Sequence, residues 1–275
     1  MSIRTRTPKL VGAIAAVSAI AFALTGCAGS SDSGSSDAKL GTIKVGALAT
    51  PAGDILKYIQ DNEAKAAGLD VQYTEFQDYN TPNPALHDGD VQANLFQNET
   101  FLDTYNKAAG DDLVSVGKIY LPTAAFYSDK VKSVDDLTSG ATIAVPNDPT
   151  NEGRALKILA GKGLIETRDN PTVLSDITSN PKKFTFKEID NATLPQSLPD
   201  VDAAFVTLSF ALPAGLDSSK AILVEGKDSD YYNVLATTKK LADDPRVLEL
   251  KKLLLSDKTK AYLNTTWDGL VVPAS

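Results

Sequence analysis

Histidine and cysteine are almost absent from this chain of 275 residues, which contains one of each, His87 and Cys27. A single histidine excludes a zinc site built from clustered histidines. It also excludes every serine–histidine–aspartate triad that does not use His87. The sequence contains neither a GxGxxG fingerprint nor a Walker-type phosphate loop. We therefore expect no enzymatic activity, no cofactor and no metal site.

Basic residues are scarce relative to acidic ones. The 27 lysines and arginines are outnumbered by 35 aspartates and glutamates, which gives a net charge of −8. Binding to nucleic acid needs clustered lysine and arginine to neutralise phosphates, so we expect no nucleic-acid partner. An acidic protein is also not attracted to an anionic membrane surface. Electrostatic attachment to a membrane is therefore excluded.

The first 27 residues have the order of a targeting signal. A basic start is followed by a mostly apolar stretch at residues 10–24 and by Leu-Thr-Gly-Cys, which ends at Cys27. This order is typical of a secretory signal peptide, and a cysteine directly after the cleavage site is the mark of a bacterial lipoprotein. The apolar stretch is shorter than the about 20 residues that span a bilayer, which disfavours a plain transmembrane anchor. We predict that residues 1–26 are removed and that a lipid such as palmitate on Cys27 holds the protein to the bacterial cell membrane, facing the extracytoplasmic side.

Residues 27–40 are rich in glycine and serine, and we predict a flexible linker because such a composition cannot bury apolar area. Beyond the linker, strand and helix patterns alternate. A strand with apolar residues at every second position is predicted near residue 42, a helix at 52–67 and a second strand around 71–73. Another strand is predicted at 90–96. This order is typical of a parallel sheet with crossover helices.

A second unit of the same kind is predicted, with a strand at 141–145 and a helix at 150–160. A chain of this length usually divides into two parts. We predict lobe 1 at residues 41–127 and 231–275, and lobe 2 at residues 128–230. Each lobe is expected to be an α/β unit with a mixed, mainly parallel sheet flanked by helices. Ligands of open α/β sheets bind at the carboxyl ends of strands, so we expect the ligand in the cleft between the lobes.

One segment joins the predicted strand of lobe 2 to its helix: Ala-Val-Pro-Asn-Asp-Pro-Thr-Asn-Glu-Gly-Arg-Ala-Leu, residues 144–156. Asp148 and Asn151 are residue types that cap helices, and the free backbone N–H groups of a helix start attract an anion. Arg154 follows within about one turn and could clasp a carboxylate through two parallel hydrogen bonds. The alternative is an ordinary capped helix in which Arg154 is solvated or paired with Glu152.

Three motifs carry a family resemblance. Pro-Asn-Asp-Pro-Thr-Asn-x-Gly-Arg ends at Arg154, and residues 78–97 contain Asp-Tyr-x-x-Pro-Asn-x-Ala-Leu followed by Gly-Asp-x-x-Ala-Asn-x-Phe-Gln. Together they resemble the methionine-binding lipoproteins (NlpA/MetQ family) of ABC importers, over residues 42–270. The resemblance implies a two-lobe periplasmic-binding-protein clamshell of type II. It also implies a protein that captures methionine or a close analogue between its lobes and delivers it to a permease.

The resemblance further implies partners and site residues. The partners are a small amino-acid ligand, the ABC permease with its ATPase, and the membrane through the lipid, and the binding protein itself is expected to be a monomer. Carried over onto this sequence, Tyr79 and Phe96 form the apolar pocket for the ligand side chain. Arg154 binds the ligand carboxylate, and Asn147 and Asn233 are polar residues of the cleft.

Three further candidate residues depart from the family pattern. The family commonly has histidine at the position of Asn98, tyrosine at that of Phe101 and asparagine at that of Thr207. Each change removes or shortens a polar group in the expected cleft, and a buried partner left unpaired costs about 1–3 kcal/mol. Together with Asn151, these residues complete the set that we expect to bind the ligand.

The departures leave the ligand open. The candidate ligands are L-methionine or a close analogue, D-methionine, a methionine dipeptide and another small amino acid. An alternative of another class is a surface lipoprotein that acts mainly through contacts with other proteins. A secreted hydrolase is less compatible with one histidine and no free thiol. For the binding protein, we predict that replacing Arg154 by alanine abolishes ligand binding without unfolding the chain.

Overall fold

A computed structural model describes residues 39–217 and 219–275. The predicted signal peptide at residues 1–26, the predicted lipidation site Cys27 and the predicted linker up to residue 38 therefore lie outside the described residues. Among the helices that are described, none is both long enough and apolar enough to cross a membrane.

The described residues form thirteen strands and seven α-helices, most of which belong to two sheets and the layers that cover them. The strands are β1 (Gly41–Leu48), β2 (Leu69–Phe76), β3 (Ala93–Asn94), β4 (Val114–Pro122), β5 (Ala125–Tyr127), β6 (Thr142–Pro146), β7 (Glu166–Thr167), β8 (Ile177–Ser179), β9 (Thr185–Ile189), β10 (Ala203–Val206), β11 (Ala221–Val224), β12 (Asn233–Thr237) and β13 (Val271–Pro273). The helices are α1 (Asp54–Ile59), α2 (Pro82–Asp88), α3 (Glu99–Ala109), α4 (Pro149–Gly161), α5 (Leu208–Ala211), α6 (Pro245–Leu254) and α7 (Asp257–Trp267).

Both main sheets are mixed, as the sequence predicts. The first has the strand order β13-β4-β12-β3-β1-β2, and the second has the order β11-β5-β10-β6-β9. Parallel pairs join β1 to β2 and β3, and β6 to β9 and β10. The other pairs of these two sheets are antiparallel. Parallel pairs therefore do not predominate, because the strands beside each crossing of the chain enter and leave a sheet in opposite directions.

The chain crosses from the first sheet to the second between Pro122 and Ala125, and it returns between Val224 and Asn233. The predicted lobe boundary after residue 127 places β5 in lobe 1, but β5 pairs with β10 and β11 of the second sheet. The reason is that all three side chains of β5 are buried beside these strands. Hereafter lobe 1 is the part of the chain around the first sheet, and lobe 2 is the part around the second.

Apolar helix faces build a separate core on each sheet. In lobe 1, Ile43 and Val45 of β1 belong to one buried cluster with Ile55 of α1 and with Leu250 and Leu254 of α6. In lobe 2, α4 packs its apolar face on β6 and β10. Each fully buried aliphatic side chain stabilises the fold by about 1.5–3 kcal/mol. The C-terminal helices thus return to lobe 1, as expected, and α4 is fixed to the sheet of lobe 2.

The two crossings are hydrogen-bonded to each other. The backbone N–H of Glu225 donates to the carbonyl oxygen of Ala124 at 2.9 Å, and the N–H of Ala124 donates to Oε2 of Glu225 at 3.1 Å. Ala124 belongs to the first crossing and Glu225 begins the second. These two bonds therefore hold the crossings side by side at the junction of the lobes.

Candidate functional site

The start of α4 brings the predicted anion-binding segment into the junction of the lobes. Asp148 is the N-cap, and its Oδ1 accepts a hydrogen bond from the backbone N–H of Asn151 at 2.9 Å. The side-chain amides of Asn151 and Asn191 also donate to this carboxylate, at 3.1 and 2.7 Å. Asp148 is therefore confirmed as a helix cap, and its carboxylate fixes the direction in which the first turn of α4 points.

Gly153 explains why the motif contains a glycine in the first turns of this helix. A Cβ atom at this position would lie 2.0 Å from the carbonyl oxygen of Pro171. Any larger residue would push the segment around residue 171 away from α4. Glycine thus permits the close packing that holds the helix, and with it Arg154, in place.

Arg154 is buried, with 3% of its side chain exposed, and it forms an ion pair with Glu225. Its Nε donates to Oε1 of Glu225 at 2.8 Å, and its Nη2 donates both to Oε2 of Glu225 and to the carbonyl oxygen of Pro122, the latter at 2.8 Å. Both readings of an ordinary capped helix are therefore wrong, because Arg154 is neither solvated nor paired with Glu152. Pro122 and Glu225 flank different crossings, so one guanidinium contacts both.

Glu225 is a functional candidate that the sequence did not reveal. Besides the two bonds from Arg154, it accepts a hydrogen bond from Oγ of Ser229 at 2.7 Å and one from the backbone N–H of Ala124. The ring of Tyr231 covers the guanidinium, with 4.8 Å between Cζ of Arg154 and the ring centroid. Nothing in the local sequence around residue 225 indicates this partner, which lies 71 positions from Arg154.

Four aromatic rings gather beside this ion pair. Tyr79 lies 5.9 Å from Phe96, 5.9 Å from Phe101 and 4.9 Å from Phe210, measured between ring centroids. Phe210, in α5 of lobe 2, was not predicted as a site residue. The hydroxyl of Tyr79 is 2.9 Å from Oγ1 of Thr207, which joins the lobes by a hydrogen bond. Burial raises the pKa of Tyr79, so this hydroxyl stays neutral.

A network of buried amides supports the aromatic cluster from lobe 1. Nδ2 of Asn83 donates to Oε1 of Gln97 at 2.7 Å, and Nε2 of Gln97 donates back to Oδ1 of Asn83 at 2.6 Å. Nδ2 of Asn94 donates to the carbonyl oxygen of Pro82 at 2.7 Å. Hydrogen bonds among buried amides rigidify the segments that they join. The network therefore fixes the position of Phe96, which lies between Asn94 and Gln97.

Two further candidates, Asn98 and Asn233, contribute side chains that the protein partly uses for itself. Asn98 caps α3, because its Oδ1 accepts from the backbone N–H of Phe101 at 2.9 Å. Nδ2 of Asn233 donates to the carbonyl oxygen of Phe96 and to the hydroxyl of Tyr120, both at 3.1 Å. The cap explains why asparagine suits position 98, where the family commonly has histidine.

These residues enclose one small cavity at the junction of the lobes. Its volume is about 20 Å³, which is room for a water molecule but not for an amino acid. The lining residues are Tyr79, Phe96, Gln97, Asn98, Phe101, Pro122, Asn151, Arg154, Thr207, Leu208, Ser209 and Asn233. Among these described residues Arg154 is the one charged side chain. A ligand of amino-acid size can enter only if the lobes separate.

Asn147 is the predicted site residue that the structure does not bring to this cavity. Its side chain is exposed, and its backbone N–H donates to the carbonyl oxygen of Ile189 at 3.0 Å. This bond continues the pairing of β6 with β9 by one residue beyond Pro146. The pairing therefore holds Asn147 at the carboxyl end of β6 and away from the cavity. The other eight predicted residues line the cavity.

A wider groove of about 870 Å³ also borders the ion pair. Arg154 and Glu225 line it together with Tyr231, Lys157 and Thr100. Arg154 lines both the small cavity and this groove. The ion pair therefore stands between the aromatic cavity and a space that is open to solvent.

Comparisons with known proteins agree with the fold. The sequence model of the NlpA lipoprotein family matches residues 43–275. The D-methionine-binding lipoprotein MetQ of Salmonella typhimurium strain LT2 is 37% identical over 276 residues, which covers 98% of each chain. A nutrient binding protein from Burkholderia cenocepacia, solved bound to methionine, is 39% identical with a TM-score of 0.81, covering 85% of this chain and 100% of that one. An ABC transporter periplasmic substrate-binding protein from Coxiella burnetii is 38% identical with a TM-score of 0.81, covering 84% and 100%.

Proposed function

Because the chain belongs to the NlpA lipoprotein family, we propose that it captures methionine and delivers it to the permease and ATPase of an ABC importer. It is a substrate-binding protein and not an enzyme. The observation that carries the ligand class is the pairing of one buried guanidinium with three aromatic rings, those of Tyr79, Phe96 and Phe101, in a single cavity. An amino acid with an apolar side chain has the matching carboxylate and apolar ends.

The proposed pose follows from the chemistry of the lining residues. The ligand carboxylate lies at Arg154 and at the start of α4 near Asn151. The thioether packs against Tyr79, Phe96 and Phe101, where sulfur against aromatic edges gains about 0.3–1.5 kcal/mol. The polar side chains of Asn98, Thr207 and Asn233 then surround the α-amino end of the ligand. This pose does not require a particular configuration at the α-carbon, so both L- and D-methionine are candidates.

The attachment is proposed from the sequence. A lipid on Cys27 holds the monomeric protein to the cell membrane, with the folded part on the extracytoplasmic side. The relatives are lipoproteins by name, and the composition of residues 27–40 provides a tether. Lobe opening about the crossings near Ala124 and Glu225 admits the ligand, and closure around it is the form that the permease receives.

One observation favours the alternative of a surface lipoprotein that acts through protein contacts. The cavity of about 20 Å³ is too small for an amino acid as it stands. Thermal unfolding with L-methionine, D-methionine and a glycyl-methionine dipeptide distinguishes the two functions. A ligand that binds the folded state raises the melting temperature. The absence of any shift with all three ligands would favour the alternative.

The first prediction tests the carboxylate contact with Arg154→Lys rather than with alanine. Alanine would leave the Glu225 carboxylate buried and unpaired, which destabilises a protein by about 3–5 kcal/mol. We therefore expect Arg154→Ala to destabilise the fold, contrary to the prediction from the sequence. Lysine is the better test because it keeps the charge but loses the forked hydrogen-bond donors. We expect the dissociation constant for methionine to rise at least about tenfold, equivalent to about 1.4 kcal/mol, in isothermal titration.

The matched control for this prediction is Lys157→Ala, one turn later on α4. Lys157 does not line the aromatic cavity, and its Nζ lies 5.8 Å from the centroid of the Tyr231 ring. We expect this variant to bind methionine as the wild type does. Equal affinity of the wild type and Arg154→Lys, with both proteins folded, would contradict the assignment.

A further inference from the structure

The ion pair of Arg154 and Glu225 has a consequence for the charge of the ligand, and this inference rests on the proposed function. Arg154 is the one charged side chain among the described residues that line the cavity. Glu225 lies directly behind it and is 5% exposed in its side chain. The site and its counter-ion together therefore carry no net charge. A zwitterionic amino acid also carries none.

The arrangement leaves only part of the guanidinium for a ligand. Glu225 occupies Nε and one N–H of Nη2, and the carbonyl oxygen of Pro122 occupies the other N–H of Nη2. Nη1 donates to no residue in the part of the chain that the structure describes. Arg154 therefore keeps Nη1 for a ligand carboxylate, and the carboxylate shares the guanidinium with Glu225.

Two carboxylates on one guanidinium repel each other. In a buried site this repulsion is weakly screened, and the α-ammonium group of a zwitterion offsets it. A ligand that lacks this ammonium group adds an uncompensated negative charge. Glu225 cannot relieve the repulsion by turning away, because Ser229 and Ala124 bind the same carboxylate.

We infer that Glu225 determines the charge class of the ligand, by making the site select zwitterionic amino acids over carboxylates that lack an α-amino group. Glu225 acts through Arg154 and does not line the cavity, so it is a positioning and specificity residue. The same pair fixes the guanidinium against both crossings, at Pro122 and at Ala124. The ligand carboxylate thus binds a guanidinium whose positive charge is already balanced by Glu225.

Glu225→Gln tests this inference with three ligands of nearly equal shape. These are methionine, a zwitterion; 4-(methylsulfanyl)butanoate, an anion without the amino group; and methioninamide, a cation without the carboxylate. Titrations are made at pH 6, where the α-amino groups are protonated. Relative to methionine, we expect the anion to gain at least about tenfold in affinity and the cation to lose at least about tenfold. The opposite signs arise because the variant removes one negative charge and leaves the positive charge of Arg154 unbalanced.

A merely structural role of Glu225 predicts a different result. Loss of packing or of the crossing contacts would weaken all three ligands by the same factor and leave their affinity ratios unchanged. That outcome would overturn the inference. Ser229→Ala is the matched control, because it removes a neutral partner of the same carboxylate, and we expect it to leave the ratios as in the wild type. Glu225→Asp keeps the charge and should also keep the ratios.

The experiment separates this inference from the proposed function. Absence of methionine binding by the wild type would contradict the proposed function, and the inference would fail with it. Binding by the wild type with unchanged ratios in Glu225→Gln would contradict the role of Glu225 alone. If the glutamine variant does not fold, the wild type still tests the inference: we expect it to bind methionine at least about tenfold more tightly than 4-(methylsulfanyl)butanoate, and equal affinities for the two ligands would overturn the inference.

Discussion

Glu152 lies two positions before Arg154 on α4 and is 1% exposed. Its Oε1 atom has no hydrogen-bond partner among the described residues. Burial, followed by the charge of the nearby Glu188, raises the pKa of Glu152 to about 7. This carboxyl group is therefore far easier to protonate in the folded protein than in the unfolded chain. The ionised form of Glu152 therefore destabilises lobe 2 at alkaline pH.

The pH dependence of stability follows from the direction of this shift. Between the unfolded pKa near 4.5 and the folded pKa near 7, the folded state binds more protons at this group. The contribution of Glu152 to stability therefore improves as pH falls from about 7 to about 4.5, and it is unfavourable above pH 7. We expect Glu152→Gln to raise the free energy of unfolding at pH 8 by roughly 1–2 kcal/mol and to have little effect at pH 5.

Urea unfolding of the wild type and of Glu152→Gln at pH 5 and pH 8 measures this difference. The control is Glu166→Gln, because Glu166 is exposed and its replacement should not alter the pH dependence. Parallel stability curves for the wild type and Glu152→Gln would show that Glu152 does not titrate in this range.

At the scale of elements, α4 depends on its N-terminal cap. Asp148 accepts hydrogen bonds from the backbone of Asn151 and from the side chains of Asn151 and Asn191. We expect Asp148→Ala to destabilise the protein by about 1–2 kcal/mol. We also expect weaker methionine binding, because Arg154 projects from the turns that the cap holds. Chemical denaturation and isothermal titration measure the two effects.

Asp148→Ser is the matched variant, because serine also accepts a hydrogen bond at an N-cap. It should retain most of the stability that alanine loses. Equal stability of the alanine and serine variants would show that the capping bond contributes little to the fold.

Helix α4 and strand β3 show how well local patterns predict elements. The helix predicted at 150–160 is observed at Pro149–Gly161, because the cap, the proline and the apolar spacing all lie within the segment. The strand predicted at 90–96 is reduced to Ala93–Asn94. There the buried amides of Asn94 and Gln97 bind side chains and backbone around α2. Such long-range bonds replace a regular ladder, and residue alternation does not reveal them.

At the scale of the whole molecule, attachment to the membrane is predicted to depend on a single residue. We expect Cys27→Ser, expressed in a bacterial host, to move the protein from the membrane fraction to the soluble exported fraction, because no thiol remains for acylation. Detergent phase partitioning of the two proteins measures this change. Ser30→Ala, three residues later, is the control and should remain in the detergent phase. Retention of Cys27→Ser in that phase would contradict lipid anchoring through this residue.

The candidate site combines residues of both lobes. Some of these residues could be predicted from the sequence and others could not. Tyr79, Phe96 and Arg154 stand in motifs whose resemblance carries their expected roles. Phe210 and Glu225 stand outside any such motif, and they reach the site only because the chain crosses twice between the sheets.

The sequence by itself determined the α/β pattern and the cap of α4. It also indicated nine candidate residues, of which the structure brings eight to one cavity. These features depend on residues close together in the chain or on recognisable motifs. Only the tertiary structure decided that Arg154 is held by Glu225, that β5 belongs to lobe 2 and that Asn147 lies away from the cavity. Each of these outcomes depends on which distant segments pack together. The spacing of residues within one segment does not predict the free energy of that packing.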